Sequence, residues 1–486
     1  MPGTPAPPPG SPPGPAPSTA DTIAARIERL PRWGLPRLAF VILGLAYFID
    51  IYDVSIVGYT LTPMTEHFHL STTAVTVMLT GNAIATAVGA FLFGSLGDIL
   101  GRRRTYLIGM AALGLSALVC ALAWDGPSLV VFRVLSGLAT GGGLAVCTSY
   151  VQEFSPAHRR GRYVSITVLA SSVGGLGAAQ LSGWLVPLSA SGWRWVYGIG
   201  ALAFVLLLAA RPGILPESPR WLAARGRDAE TDAIVDAMEE RLLRAGETLP
   251  QPEVEASEPA PPRFPVARLL KPPFLQRLLV VAAFWFGLQW AVRATLTLQP
   301  AILEKMGMSL REITSLTSVG QVLGIAGYLA MPLIIDRVER RTLIVCGLLI
   351  ATGSTVVIAV GDGSFTSYLI ASIMLHGFSP MIFVPGYSYA AEIFPTFART
   401  TGASLAGGLG QVGGITQSLV LVSVIATADP RMSMLLIGAG YAFGALIIFL
   451  LAIPTTGRAL SAINAAPGPA TPATASAERR PSPELS

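Results

Sequence analysis

Four charged residues lie within long apolar stretches of this sequence, where a charge is costly and rarely present without a use. They are Asp50 and Asp53 in one stretch, Arg133 in another and Arg293 in a third. Asp50 and Asp53 are three residues apart, so both carboxylates fall on nearly one face of a helix. Two carboxylates so close together, away from water, favour a state in which one of them holds a proton. The spacing therefore predicts a proton carrier, with Asp53 as the first candidate.

Arg133 begins the phrase Arg133-x-x-x-Gly137-x-x-x-Gly141. Arginine does not usefully release its proton, so its predicted role is to compete with the proton for an aspartate. The glycines at helical spacing allow another helix to approach closely. The alternative is a permanent ion pair between Arg133 and Asp53 that only anchors two helices.

Arg293 follows Gln289 and Trp290, and this group of side chains could bind a carboxylate and stack on an aromatic ring. The alternative is that Arg293 is an internal counter-ion for Asp50. Polar residues in other apolar stretches are further candidates for contact with a substrate, although each alone is more often an inter-helix hydrogen bond. They are Gln180, Gln411 and His376, beside Asn82, Gln321 and Gln417.

The elements that carry these residues are predicted to be membrane-spanning helices. Hydrophobic residues make up 52% of the chain and charged residues 13%, which lies well outside the usage of soluble globular domains. The apolar runs are long enough to cross a bilayer and too uniform for a β-barrel. The sequence predicts twelve spans, at residues 38–62, 74–98, 105–124, 128–150, 164–187, 194–212, 277–301, 312–335, 342–361, 365–390, 401–424 and 432–453.

Two polar phrases occur twice and indicate a duplication. Glu-x-x-Pro-x-x-x-Arg begins at Glu153 and again at Glu392, and 392 − 153 = 239. An aspartate with paired arginines begins at Asp98 and again at Asp336, and 336 − 98 = 238. An all-α protein with two similar six-helix halves is expected from this repeat.

The arginines are concentrated in the loops after the even-numbered spans, so these loops and both termini are predicted to be cytoplasmic and the protein to lie in the cell membrane. We expect a disordered tail and an interfacial helix over residues 1–37, one half over 38–212 and a cytoplasmic linker over 213–276. The second half is expected over 277–456, followed by a disordered tail over 457–486.

Other classes of function have little support in the sequence. The three cysteines are isolated in apolar spans and show no metal-ligand spacing. A dinucleotide-like phrase at Gly408, Gly410 and Gly413 lies inside a predicted span and is better explained by helix packing. We therefore expect no metal, no cofactor, no nucleic acid and no enzymatic site, and a monomer whose partners are a small-molecule substrate, protons and the bilayer.

Several motifs resemble those of the major facilitator superfamily over nearly the whole chain. Residues 94–104, GSLGDILGRRR, resemble its loop signature between spans two and three, and Arg133 with its glycines resembles its span-four motif. Residues 216–222, PESPRWL, are similar to the phrase after span six in sugar porters. Residues 26–31, RIERLP, and 48–53, FIDIYD, resemble proton-coupled metabolite and aromatic-acid symporters, although Ile51 stands where those have glycine.

The resemblance implies a substrate site between two halves that rock to open each side in turn. It also implies a cytoplasmic gate latch formed by the repeated charged residues, whose alternative role is topology control by positive charge. The latch residues are Asp98, Arg102, Glu153, Arg160, Asp336, Arg340, Glu392 and Arg399.

The function favoured by these patterns is proton symport of a small organic, carboxylate-bearing solute. Asp53, with Asp50, would carry the proton, Arg133 would bias its release and Arg293 would meet the substrate. Three alternatives stay open: a sugar/proton symporter, a multidrug-type proton-coupled exporter, and a membrane sensor that does not transport.

Overall fold

The computed structural model describes residues 18–252, 254, 269–272, 274–335, 337–361, 364–394 and 399–453, and the described part is helical without strands. The first-half helices are α1 Thr19–Glu28, α2 Arg37–Phe68, α3 Thr72–Leu100, α4 Arg102–Ala121, α5 Gly126–Glu153, α6 Ala157–Leu185, α7 Gly192–Gly200 and α8 Ala203–Ala209. Then come α9 Pro219–Ala223 and α10 Asp228–Arg244. The remaining helices are α11 Phe274–Thr297, α12 Gln299–Lys305, α13 Leu310–Ile334, α14 Arg340–Val360, α15 Phe365–Ser372, α16 Pro380–Glu392, α17 Arg399–Thr427 and α18 Pro430–Leu451.

Each predicted span corresponds to helical structure, but three spans, the fifth, the sixth and the tenth, differ from the others. Among the described residues, ten helical segments are long and apolar enough to cross a membrane. The fifth span, α6, is one continuous helix, yet it begins with a basic turn and is rich in glycine and serine. The sixth span is divided into α7 and α8 by a turn at Ala201 and Leu202. The tenth consists of α15 and α16 joined by a π-helical turn, Ile373–Gly377.

Glycines bring the helices of each half into close contact. A Cβ atom at Gly141 of α5 would lie 1.9 Å from the carbonyl oxygen of Thr86 on α3, so only glycine fits there. Gly137, one turn earlier, meets the carbonyl of Asn82 in the same way, at 2.3 Å. The glycines of the Arg133 phrase therefore let α5 approach α3 as closely as predicted.

The duplication is visible in the packing as well as in the charged phrases. In the first half, a Cβ atom at Gly174 of α6 would lie 2.2 Å from the carbonyl oxygen of Phe48 on α2. In the second half, a Cβ atom at Gly413 of α17 would lie 2.1 Å from that of Phe286 on α11. The offsets are 413 − 174 = 239 and 286 − 48 = 238, which match those of the polar phrases. Within the dinucleotide-like phrase, Gly410 and Gly413 thus serve helix packing against α11, whereas Gly408 faces open space.

The two halves touch near one end of the bundle, which we call the outer side. It is the end where α2 leads into α3 and α11 leads into α12, and it is predicted to face away from the cytoplasm. A Cβ atom at Gly58 of α2 would lie 2.4 Å from the carbonyl oxygen of Leu296 on α11. One at Gly183 of α6 would lie 2.3 Å from Oγ1 of Thr314 on α13. The opposite end is called the inner side.

The short helix before the first span is present, but its apolar face is covered by protein. The sequence predicted that this face would lie along the membrane surface. In the structure, Ile23 and Ile27 of α1 are buried against Val235 of the linker helix α10. Arg26 donates hydrogen bonds to Glu239 at 2.8 Å and to Asp236 at 2.5 Å. The linker helix offers both an apolar strip and matching carboxylates, so α1 docks there.

The linker is fastened to the first half. Trp221, in α9, donates from Nε1 to the carbonyl oxygen of Asp98 at the end of α3, at 3.0 Å. Arg225 donates to the same carbonyl at 2.9 Å and to that of Ile99 at 2.9 Å. Helices α1, α9 and α10 therefore form a cap on the inner side of the first half, and we call them the inner cap.

Replacement of Glu239 by glutamine is expected to loosen the inner cap. Burial acts to raise the pKa of Glu239, but hydrogen bonds from Arg26 and Arg29 outweigh it and leave that pKa lowered. The ionised carboxylate therefore stabilises the cap at pH values above the ordinary glutamate pKa near 4.5. This contribution is lost as the pH falls through the lowered pKa of Glu239. Glu239→Gln should cost about 1–3 kcal/mol and speed amide hydrogen exchange in α1 by roughly ten- to hundredfold.

The matched control is Glu240→Gln, because Glu240 is exposed and pairs with Arg244 on its own helix at 2.5 Å. Hydrogen exchange followed by mass spectrometry compares the two variants. Equal exchange rates in α1 for both variants would contradict the assigned role of Glu239.

Candidate functional site

The centre of the structure contains a buried ion pair between α2 and α5. Nη1 of Arg133 lies 3.0 Å from Oδ1 and 3.3 Å from Oδ2 of Asp53, and each side chain is 3% exposed. The guanidinium also lies over the ring of Tyr197 on α7, 5.4 Å from its centroid. Both charges are thus compensated inside the first half. This geometry corresponds to the helix-anchoring alternative for Asp53 in the state observed.

Asn82 on α3 connects this pair with the second half. Its Nδ2 donates to the carbonyl oxygen of Arg133 at 2.7 Å and to Oγ of Ser136 at 3.2 Å. Its Oδ1 accepts from Nη1 of Arg293 on α11 at 3.5 Å. The close α3–α5 contact at the glycines brings Asn82 within reach of the α5 backbone. A single amide therefore positions Arg133 on one side and meets Arg293 on the other.

Arg293 projects into the interface between the halves. Its stem packs on Gly414 of α17, where an added Cβ atom would lie 3.2 Å from Cγ of the arginine. The charges of Arg293 and Asp50 act on each other across the interface. Asp50 is 4% exposed, and its Oδ1 accepts no hydrogen bond from the described residues. The structure therefore places Asp50, Asp53, Arg133 and Arg293 in one cluster, and their roles stay predictions.

A small cavity lies beside this cluster, with a volume of about 10 Å³. That is room for about one water molecule. Arg133, Arg293 and Asn82 border it, so two cationic side chains and an amide lie at its wall. The lining residues are Val54, Val57, Met78, Leu79, Asn82, Arg133, Arg293, Thr297 and Ser418.

A second cavity, of about 20 Å³, lies towards the outer side. The predicted residue His376 lines it, with Gln321 Nε2 at 3.5 Å from its Nδ1. Neutral hydrogen-bonding groups make up part of the rest of its wall, beside aliphatic residues such as Leu296 and Ile313. The neutral hydrogen-bonding groups include Ser55, Tyr59, Thr295, Gln299 and Thr317.

The remaining predicted substrate residues take other positions. Gln289 donates from Nε2 to Oε1 of Gln411 at 2.8 Å, which joins α11 to α17. Trp290 donates from Nε1 to the carbonyl oxygen of Leu436 at 3.0 Å and so faces α18. Gln180 is half-buried on α6 and lines neither cavity. The structure therefore does not bring Trp290 and Gln180 to the Arg293 cluster.

Sequence reasoning did not single out several residues of these walls. Thr297 and Ser418 border the first cavity, and Ser55, Tyr59 and Thr317 border the second. Hydroxyl residues within apolar helices are common because they bond to their own helix, as Thr297 does to the carbonyl of Arg293 at 2.8 Å. Residue type therefore gave no signal that separates lining hydroxyls from the others.

The repeated charged phrases form equivalent pairs in the two halves. Nε of Arg102 lies 2.8 Å from Oε1 of Glu153, and Nε of Arg340 lies 3.0 Å from Oε1 of Glu392. Arg102 also contacts Asp98 at 2.7 Å. Each of these pairs stays within its own half, so a latch that joins the halves stays a prediction. Asp336 lies outside the described residues, as do the side chains of Arg160 and Arg399.

Two helical halves that enclose a buried charged site define a multi-pass membrane transporter. The sequence profile of the Major Facilitator Superfamily matches residues 43–415 and 279–483. The chain belongs to this superfamily, and the predicted fold class of two six-helix halves is confirmed. It is therefore a transporter of small molecules rather than an enzyme.

Related proteins agree with this assignment. The chain is 28% identical to a gallate transporter of Pseudomonas putida, over 81% of this chain and 86% of that protein. It is 26% identical to the niacin transporter NiaP of Acinetobacter baylyi, over 84% and 91% of the two chains. Its fold resembles the inward-open xylose transporter XylE from E. coli, with a TM-score of 0.69, 17% identity, and coverage of 87% and 98%.

Removal of the arginine from the buried pair is expected to destabilise the protein strongly. Arg133→Met leaves the Asp53 carboxylate buried without its hydrogen-bond partner, which should cost about 3–5 kcal/mol. The double variant Asp53→Asn, Arg133→Met buries no charge at this place and should recover most of that loss. Thermal melting of the purified variants in detergent measures both effects. A double variant as unstable as Arg133→Met alone would contradict this account.

Proposed function

We propose that this protein is a proton-coupled symporter that takes a small aromatic carboxylate into the cell. The observation that carries the proposal is the Arg293 guanidinium, which borders a cavity between the halves and has no carboxylate within 4 Å among the described residues. A buried cation without a carboxylate in direct contact is costly, so a site that keeps one is suited to an anionic ligand. The planar guanidinium matches a carboxylate through two parallel hydrogen bonds.

The chemistry of the relatives supports the same class of substrate. Gallate and niacin, carried by two related transporters, each combine an aromatic ring with a carboxylate. The second cavity offers neutral hydrogen-bonding groups such as Tyr59, Gln321 and His376. When the halves separate around a substrate, these groups could meet the polar edge of a ring whose carboxylate is held by Arg293.

The proton belongs, in this proposal, to the Asp50 and Asp53 pair. Arg133 bonds to both oxygens of Asp53 in the present state, whereas Oδ1 of Asp50 accepts no hydrogen bond from the described residues. In this proposal Asp50 is the carboxyl with an oxygen free to carry a proton here, while both oxygens of Asp53 accept hydrogen bonds from Arg133. A substrate carboxylate on Arg293 would compete with Asp50 for the same positive charge and so favour a proton on Asp50.

The setting of this function completes the proposal. The distribution of arginine supports insertion in the cell membrane with both termini in the cytoplasm. The proton gradient is the energy source, and the transporter needs no cofactor. We propose that it works as a monomer by alternating access, since each half is a complete bundle with its own internal ion pairs.

Loss of the Arg293 charge is expected to remove substrate recognition. In proteoliposomes with an alkaline interior, wild-type protein should accumulate labelled benzoate, nicotinate or gallate more than neutral sugars. Arg293→Gln should reduce that uptake about ten- to hundredfold, since hydrogen bonds to a charged group contribute roughly 1.5–3 kcal/mol. Arg431→Gln is the control, because Arg431 is exposed at the outer start of α18. Exclusive uptake of sugars would favour the sugar symporter instead.

Replacement of the proton-binding carboxyls separates coupling from transport. Asp53→Asn and Asp50→Asn should each abolish uptake driven by a pH gradient, because the pair can no longer exchange a proton. Both variants should retain exchange of labelled for unlabelled substrate, which needs no net proton movement. Exchange also shows that the variants fold. Full gradient-driven uptake by both variants would rule out proton coupling at this pair.

A further inference from the structure

A contact between the halves on the outer side involves a carboxyl group outside the membrane-spanning helices. Oγ1 of Thr62, near the outer end of α2, donates a hydrogen bond to Oε2 of Glu304 on α12. Thr62 belongs to the first half and Glu304 to the second, so the bond exists only when this part of the outer side is closed. Both side chains are half-buried in the contact.

The surroundings of Glu304 contain negative rather than compensating charge. No cation lies within 4 Å of its carboxyl among the described residues, and the carboxylate of Glu66 on α2 acts on it unfavourably. The neighbouring Lys305 donates to the carbonyl of Ile425 on α17 at 2.8 Å. The other charged groups on elements packed against α12 are Arg37, Asp50, Asp53 and His67 on α2, Arg277 and Arg293 on α11, Arg311 and Glu312 on α13, and Arg431 on α18.

We propose that Glu304 binds a proton when it docks on Thr62, so that acidity outside the cell favours closure of the outer side. The proton comes from the external solution and returns there when the halves separate and Glu304 is hydrated again. Glu304 is therefore a pH-sensitive gate residue, distinct from the carboxyls that would carry a proton across. This role rests on the proposed function only in requiring that the two halves open and close.

The direction of the effect follows from the closed state. Burial, followed by the charge of Glu66, raises the pKa of Glu304 above its ordinary value near 4.5, although the hydrogen bond from Thr62 acts in the opposite sense. In the open state the carboxyl is in water and titrates in its ordinary range. The closed state therefore binds the proton more tightly than the open state. Closure is favoured at pH values below the raised pKa of Glu304, and this preference is lost as the pH rises through that pKa. The Thr62 bond survives protonation because the acid keeps a carbonyl oxygen that accepts.

The distance between the outer ends of the halves reports this equilibrium without substrate. Spin labels are placed on Thr73→Cys, at the outer start of α3, and Ala428→Cys, beyond the outer end of α17, both exposed and uncharged positions. The native Cys120, Cys147 and Cys346 are replaced by alanine or serine. Electron–electron resonance of the full-length protein in liposomes should show a short-distance population that decreases as pH rises above the ordinary Glu304 pKa near 4.5. The closed-to-open ratio should change by at most about tenfold per pH unit, as one titrating group allows.

Three variants test the assignment to Glu304. Glu304→Gln keeps the carbonyl acceptor without the titrating charge, so its short-distance population should be high and independent of pH. Glu66→Gln should shift the transition of the otherwise unchanged protein to lower pH. Glu312→Gln, which alters a cap of α13 bonded to Ser309, should behave as the wild type.

A pH response in Glu304→Gln equal to that of the wild type would overturn the proposal, as would an unresponsive wild type. Because no solute is added, failure of aromatic-acid uptake or of proton coupling would leave this result unaffected.

Discussion

A guanidinium buried between helices has to be compensated within the protein, and much of this structure depends on how Arg133 is compensated. Asp53 supplies the charge, and the ring of Tyr197 covers the guanidinium. Asn82 bonds to the Arg133 carbonyl oxygen, which requires α3 and α5 to approach within the distance that Gly137 and Gly141 allow. The glycine contacts and the ion pair therefore lie in one arrangement, in which the close α3–α5 approach brings Asn82 to the backbone of the residue that carries the buried charge.

The same amide that completes the Arg133 arrangement leads to the interface between the halves. The Nδ2 group of Asn82 donates its hydrogen bonds within the first half, and its Oδ1 accepts a hydrogen bond from Arg293 of the second half. Packing around this place is repeated in the two halves, as the contacts of Gly174 with Phe48 and Gly413 with Phe286 show. Charge is not repeated: the first half provides aspartates where the second provides an arginine. A repeated scaffold with unlike charges creates an asymmetric site, which is what recognition of a polar ligand requires.

Depth in the membrane could be predicted from the sequence, whereas direction around a helix axis could not. The apolar runs located all twelve spans, and the charged residues within them identified the central cluster, because few charges are kept at that depth. Trp290 was placed at the correct depth, yet its indole faces α18, where Gly440 leaves room for it. That choice is made by packing between distant segments, which a local pattern does not contain. The burial of α1 was missed for the same reason, since its partner helix lies over two hundred residues later.

That separation has a consequence for the order of events during biosynthesis. Arg26 pairs with Asp232 and Glu239, 206 and 213 residues further along the chain. At about 5–20 residues per second, the ribosome needs roughly ten to forty seconds to make the partner after the arginine has emerged. By then all six spans of the first half have been synthesised and the second half has not begun. Formation of the inner cap therefore marks the moment at which the first half becomes a finished folding unit, and α1 must wait for it with its apolar face uncovered.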